Sequence, residues 1–212
     1  IGYGGEAFFP AISIVDPDLM MSVPPHLTAY QGFDALFHAV EGYIAKTANL
    51  MSDMYALKSI QLIGENLASA VKNGADEEAR AAVALANTLS GMVEALSATT
   101  SEHAMEHAMS AYHPNLPHGA GLIMISVAYH EHLAQAIPER YIEMAKALGK
   151  KDTKDPMDFV KALKELQKAC GVDKLAMSDY GISKEEAAQF ADNAYETGAG
   201  MIKADRVSVT KE

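Results

Sequence analysis

The 212 residues include one cysteine, Cys170, and no tryptophan. A single thiol excludes an internal disulfide and any cysteine-built zinc cluster, so a metal would have to be held by nitrogen and oxygen ligands. It also suits a reducing compartment, and the expected location is the cytoplasm. Basic residues are few, 17 against 28 acidic, for a net charge of -11. That balance repels nucleic acid and anionic membrane surfaces and excludes both as partners. Long apolar runs are scarce too. The run Leu122 to Tyr129 is far too short to cross a bilayer, and no charged leader precedes an apolar segment at the start. Nucleotide-binding and hydrolase signatures are missing: there is no G-x-S-x-G, no Walker motif and no G-x-G-x-x-G, and "GYGG" at positions 2–5 lacks a following helix.

What is present is a hydrophobic content of 49%, enough for a core in one domain or at most two small ones. Only the first fifteen or so residues look extended, where "AISIVDP" is a β-like run closed by Asp16-Pro17. The remainder reads as helix. Pro24 and Pro25 precede a helix from about His26 to Lys46; Ser52 is the expected cap of a second; Asp76 opens a third, running to about Leu96. A fourth spans about Thr100 to Tyr112, and Gly119 opens an apolar, central fifth. Further starts are marked by Pro138, by Asp155-Pro156 as cap and first position, and by Ser183 with Glu186 as a capping box. The expected fold is all-α, about eight helices with a short extended N-terminal segment.

Four of the eight histidines fall within residues 101–119, "SEHAMEHAMSAYHPNLPHG". His103 with His107, and Asp34 with His38 in "GFDALFHAVEGY", have the i, i+4 spacing that places side chains on one helix face, where a pair can chelate a cation. Asp34 sits among Phe33, Ala35, Leu36 and Phe37, where a carboxylate is costly unless it meets a cation or several donors. His118 lies in "LPHGAG", held by the Pro117 approach and the Gly119 turn rather than by a helix. His26 reads as a helix-start residue, His130 and His132 as a solvated helix side, and His113 as surface. "HAMEH" also satisfies H-x-x-E-H, in which Glu106 would be the general base of a zinc peptidase and Glu185 or Glu186 the distant ligand; that pattern leaves Asp34, His38 and His118 without a role.

"VDPDLMMSVPPHLTAYQGFDALFHAVEGY", followed by "SEHAMEHAMSAYHPNLPHGAGL", resembles the iron-containing (group III) alcohol dehydrogenase family over nearly the whole chain. The resemblance implies a helical C-terminal catalytic domain, residues 16–212. Residues 1–15 would be the remnant of a junction with a missing N-terminal dinucleotide-binding domain. It implies a divalent metal, Fe2+ first and Zn2+ or Ni2+ as alternatives, on Asp34, His38, His103 and His118. His107 would stand beside the metal and handle protons, and Leu19 and Met20 would pass close to the NAD or NADP held mainly by the absent domain. His118 is preferred to His113 for its Pro-His-Gly context, since the stretch after His103 is slightly longer than usual in the family. The implied reaction interconverts a small alcohol and its aldehyde or ketone by hydride transfer, with the ion as Lewis acid. Homo-oligomerisation is left open. The other readings to be weighed are the H-x-x-E-H peptidase and a non-catalytic helical scaffold.

Overall fold

A computed structural model of the chain describes residues 5–211. Nine α-helices are present among them: α1 (Pro25–Ile44), α2 (Leu50–Lys72), α3 (Glu77–Leu96), α4 (Ser101–Tyr112), α5 (His118–Ala134), α6 (Pro138–Ala147), α7 (Met157–Ala169), α8 (Ala187–Thr197) and α9 (Ala199–Ala204). The short α9 raises the number by one over the sequence expectation. No single helix among the described residues is long and apolar enough to cross a membrane.

The punctuation residues act largely as expected. Pro25 starts α1, the Asp76 carboxylate accepts from the Ala79 amide to cap α3, and Ser183 and Glu186 form their capping box, which opens a 3-10 turn (Lys184–Glu186) leading into α8. Three details differ. The cap of α2 is Asn49, and Ser52 is its third residue, closing the box back onto the Asn49 amide. Met157 rather than Pro156 begins α7, with Asp155 Oδ1 accepting from the Met157 amide at 2.9 Å. His118 belongs to a helix after all, as the first residue of α5.

The N-terminal run is not a strand. Residues 1–4 lie outside the described residues, Glu6–Phe8 form a 3-10 turn, and "AISIVDP" has no ladder partner among the described residues. A second 3-10 turn, Pro17–Met20, precedes α1. Arg80 of α3 anchors this approach, donating to Val23 O at 3.0 Å and to the Thr28 hydroxyl at 2.7 Å.

α1 is the central element. Thirteen of its residues are buried, Phe33, Leu36, Phe37, Val40 and Ile44 among them, and it packs against α2, α3 and α5. Two glycines set its distance from its neighbours. A Cβ at Gly32 would lie 2.2 Å from Leu67 of α2, and one at Gly42 2.2 Å from Val93 of α3. α4 turns away from α3 by 103°, which brings its first turns over the middle of α1. α5, buried at ten positions, closes the same region through contacts with α1, α4 and α7.

His130 corrects the sequence reading. Instead of a solvated helix side it is fully buried on α5, its Nδ1 hydrogen-bonded to the Tyr141 hydroxyl at 2.8 Å and its Nε2 3.2 Å from Glu102. Only His132 of that pair is exposed.

Candidate metal centre

Polar residues on the buried helices fall in two stripes. On α1, Asp34, His38 and Glu41 occupy i, i+4 and i+7; on α4, His103, Glu106, His107 and Ser110 occupy i, i+3, i+4 and i+7. Both spacings keep side chains on one face, and these two faces meet at the first turn of α5, which brings His118.

The four metal-ligand candidates converge. Asp34 Oδ1 lies 3.4 Å from each of His38 Nε2, His103 Nε2 and His118 Nε2. Asp34, His103 and His118 offer donor atoms that all lie within 4.8 Å of one another, and the His38 ring sits 4.3 Å from that of His103. Asp34 Oδ1 and His103 Nε2 are buried atoms without a hydrogen-bond partner. An oxygen and a ring nitrogen shut away from water and left unpaired are costly unless something else occupies their lone pairs. A carboxylate and two imidazoles whose donor atoms cluster, with His38 Nε2 3.4 Å from the same Asp34 oxygen, suit a divalent transition-metal ion, so the residues present fit the group.

Electrostatics agree with the geometry. Burial pushes the Asp34 carboxyl up, but the facing imidazoles of His103, His118 and His38 outweigh it and hold Asp34 well below the ordinary carboxylate range. Burial works against the charged form of His118, and Asp34 and Glu106 override it, raising this histidine to about 9. His103 is likewise lowered by burial but raised well above its ordinary value by Glu41 and Asp34. The cluster demands positive charge at its centre.

Glutamates occupy the far side of each ring. His38 Nδ1 lies 2.6 Å from Glu94 Oε2, His103 Nδ1 contacts Glu41 Oε1, and His118 Nδ1 contacts Glu106 Oε2. Sequence reasoning assigned none of these three roles. The α1 and α4 stripes carried the signal for Glu41 and Glu106, whereas nothing local marks Glu94, which arrives from the last turn of α3.

His107 sits at the rim, its ring 5.9 Å from that of His103 and 5.4 Å from that of His118. Burial first, then positive charge at His103 and His118, lower its pKa and keep it a neutral imidazole. Beside it opens a cavity of about 480 Å³ lined by Glu106, His107, Ser110, Ala111 and His118. A larger apolar cavity of about 540 Å³, lined by Met105, Met109 and Phe190 among others, lies against the opposite face of α4 and touches none of the four ligand candidates.

The other candidates are placed elsewhere. His113 is half-buried against Phe190 and pairs with Glu186 at 2.8 Å. Glu186 is thereby committed away from His103, and Glu185 joins no metal-ligating group among the described residues. Leu19 and Met20 belong to the Pro17–Met20 turn, Leu19 being largely exposed and Met20 half-buried.

Comparison with known proteins then decides the family. Residues 28–210 match the Fe-containing alcohol dehydrogenase family, C-terminal. The chain belongs to that family. Alcohol dehydrogenase 4 of Saccharomyces cerevisiae is 31% identical over 205 residues, covering 96% of this chain and 52% of the yeast protein. Among solved structures, an archaeal halo-thermophilic alcohol dehydrogenase from a Red Sea brine pool superposes with a TM-score of 0.93 at 34% identity, covering 99% of this chain and 54% of that one. Sulfoacetaldehyde reductase from Bifidobacterium kashiwanohense in complex with NAD+ does so with a TM-score of 0.86 at 28% identity, covering 97% of this chain and 53% of that one. The chain therefore spans about half the length of these relatives and matches the C-terminal part of the family.

Proposed function

We propose that this chain is the metal-binding catalytic part of an NAD(P)-dependent alcohol dehydrogenase that interconverts a small alcohol and its aldehyde or ketone. Residues 16–212 form the catalytic domain in this reading, and residues 1–15 lie at the junction with a dinucleotide-binding domain carried by the rest of the protein. The observation that carries the reading is the meeting of Asp34, His38, His103 and His118 around the unpaired Asp34 oxygen. Family membership and the NAD+ of the reductase relative support the redox assignment.

Asp34, His38, His103 and His118 would hold the ion, Fe2+ by family with Zn2+ or Ni2+ compatible with the same donors. When bound, it supplies Lewis acidity toward the alcohol oxygen. The chain's own residues do the remainder. The cavity beside His107 and His118 receives the alcohol, and neutral His107 at its rim accepts or relays the hydroxyl proton. A nicotinamide held by the other domain would supply the hydride acceptor, and in this reading Leu19 and Met20 would pass close to it. The peptidase reading is disfavoured by Glu106, whose side chain is fully buried and whose two carboxylate oxygens are taken up by Ser110 and His118, which leaves no free general base.

Metal analysis tests the site directly. The parent protein is expected to hold one divalent ion per chain, and Asp34→Ala or His118→Ala to lose it. Unchanged occupancy in both variants would overturn the ligand assignment.

A further inference from the structure

Resting on this metal-centre reading, we propose that Glu41, Glu94 and Glu106 are positioning residues, each gripping one ligand histidine by Nδ1 so that its Nε2 lone pair faces the ion. A neutral imidazole carries one N–H, and the group that accepts from one ring nitrogen decides which nitrogen is free to ligate. Here each Nδ1 meets a carboxylate and each Nε2 turns toward Asp34.

Two of the three glutamates sit in purpose-shaped niches. Glu41 and Glu106 are both 0% exposed, and a buried carboxylate is a heavy cost unless its oxygens are fully engaged. Glu41 Oε2 accepts from the amide and hydroxyl of Thr100, the residue just before α4, leaving Oε1 for His103. Glu106 Oε1 accepts from the Ser110 hydroxyl one turn on, leaving Oε2 for His118. Gly121 provides the space, because a Cβ there would lie 2.8 Å from Glu106 Cγ and Oε1. The α4 stripe thus works across two helices: His103 ligates directly, and Glu106 aims a ligand borne by α5.

Glu94 lies 2.6 Å from His38 Nδ1 at a half-exposed position but without hydrogen-bond geometry, and solvent screens the pair. Its grip is the weakest. With Asp34, four carboxylates surround three imidazoles, so the collar favours a dication electrostatically as well as orienting its ligands.

The test uses the full-length protein with Co2+ in place of its native ion. Chelator competition gives the metal Kd, and the paramagnetically shifted Nδ1–H signals report each ligand ring. Glu41→Gln and Glu106→Gln are expected to raise the Kd by about 10- to 100-fold, and Glu94→Gln by no more than about threefold. Glu106→Ala should accelerate solvent exchange of the His118 signal alone, which a merely structural role for Glu106 would not single out. Should the Glu106 variants fail to fold, Ser110→Ala keeps the carboxylate and should still perturb the His118 signal selectively. Loss of cobalt in Asp34→Ala and His118→Ala, combined with parental affinity and unchanged signals in Glu106→Gln and Ser110→Ala, would overturn the positioning role alone. Retention of cobalt by Asp34→Ala and His118→Ala would overturn the ligand reading beneath it.

Discussion

Asp205 shows how far a single side chain reaches from the tail of the fold. Its Oδ1 accepts from the Tyr129 hydroxyl at 2.9 Å and its Oδ2 from the Ser101 amide at 3.1 Å. The Tyr129 hydroxyl meets Thr100 Oγ1 at 2.8 Å, and Thr100 donates to Glu41. A chain of close polar contacts therefore runs from the residue after α9 to the carboxylate behind His103. Burial, opposed by these hydrogen bonds, raises the Asp205 carboxyl to about 6. Because this lies above the unfolded value of 3.8, the folded chain binds the proton more tightly. Stability from this group is full at low pH and falls as pH rises through about 4 to 6, by at most about 3 kcal/mol. Asp205→Asn can still accept from Ser101 and offer its amide to Tyr129, so it should gain relative to the parent as pH rises. Urea unfolding of both proteins at pH 5 and 7.5 measures this. A stability difference that does not change between the two pH values would contradict it.

At the scale of elements, α5 illustrates what sequence reading captured and what it missed. Its apolar composition predicted a central helix, and it is one; its start at His118 was hidden because Pro117 and Gly119 on either side both read as turn. The tight spot is Gly119, where a Cβ would lie 2.2 Å from the Tyr30 carbonyl oxygen of α1, a backbone atom with no room to retreat. Alanine is normally the better helix former by about 1 kcal/mol, but overpacking against rigid backbone costs about 1–3 kcal/mol, so strain wins. Gly119→Ala is expected to lower the melting temperature and to weaken metal binding, because α5 must shift and His118 moves with it. A variant as stable as the parent, with equal metal affinity, would show that α5 yields without disturbing the site.

The same contrast runs through the other helices. Prolines and capping side chains are local signals, and they placed most helix starts within a residue or two. The i, i+4 pairs were legible for the same reason, since spacing alone puts Asp34 with His38 and His103 with His107. That the two pairs meet, and that His118 completes them, came from resemblance to a family, because convergence of separate helices is written in no local pattern. Glu41 went unassigned, and Glu106 was read only as the base of the peptidase alternative, since a glutamate on a helix ordinarily faces water. His130 was misplaced for a related reason, since its burial depends on partners from other helices, Tyr141 of α6 and Glu102 of α4.

On the scale of the whole molecule, the helices enclose the candidate metal centre but leave an apolar stretch exposed before α1. Phe8, Phe9, Ile12, Ile14 and Leu19 are all exposed, more apolar surface in one short stretch than a solvated segment ordinarily leaves open. They precede α1, the helix that carries Asp34 and His38. Relatives about twice as long align over this chain with only half their length. Under the proposed function, the other half brings the nicotinamide to the open side of the site and covers this stretch. The ligand set, by contrast, is complete within α1, α4 and α5, and the buried core beneath it draws on α2, α3, α6 and α7 as well. Metal binding and hydride transfer should therefore separate. The isolated 212 residues are expected to bind one divalent ion yet to show no turnover with alcohol and NAD+ or NADP+, measured by nicotinamide absorbance alongside metal analysis. Turnover by the isolated chain would overturn the division of labour, and failure to bind metal despite a folded helical spectrum would show that the centre itself needs the other half.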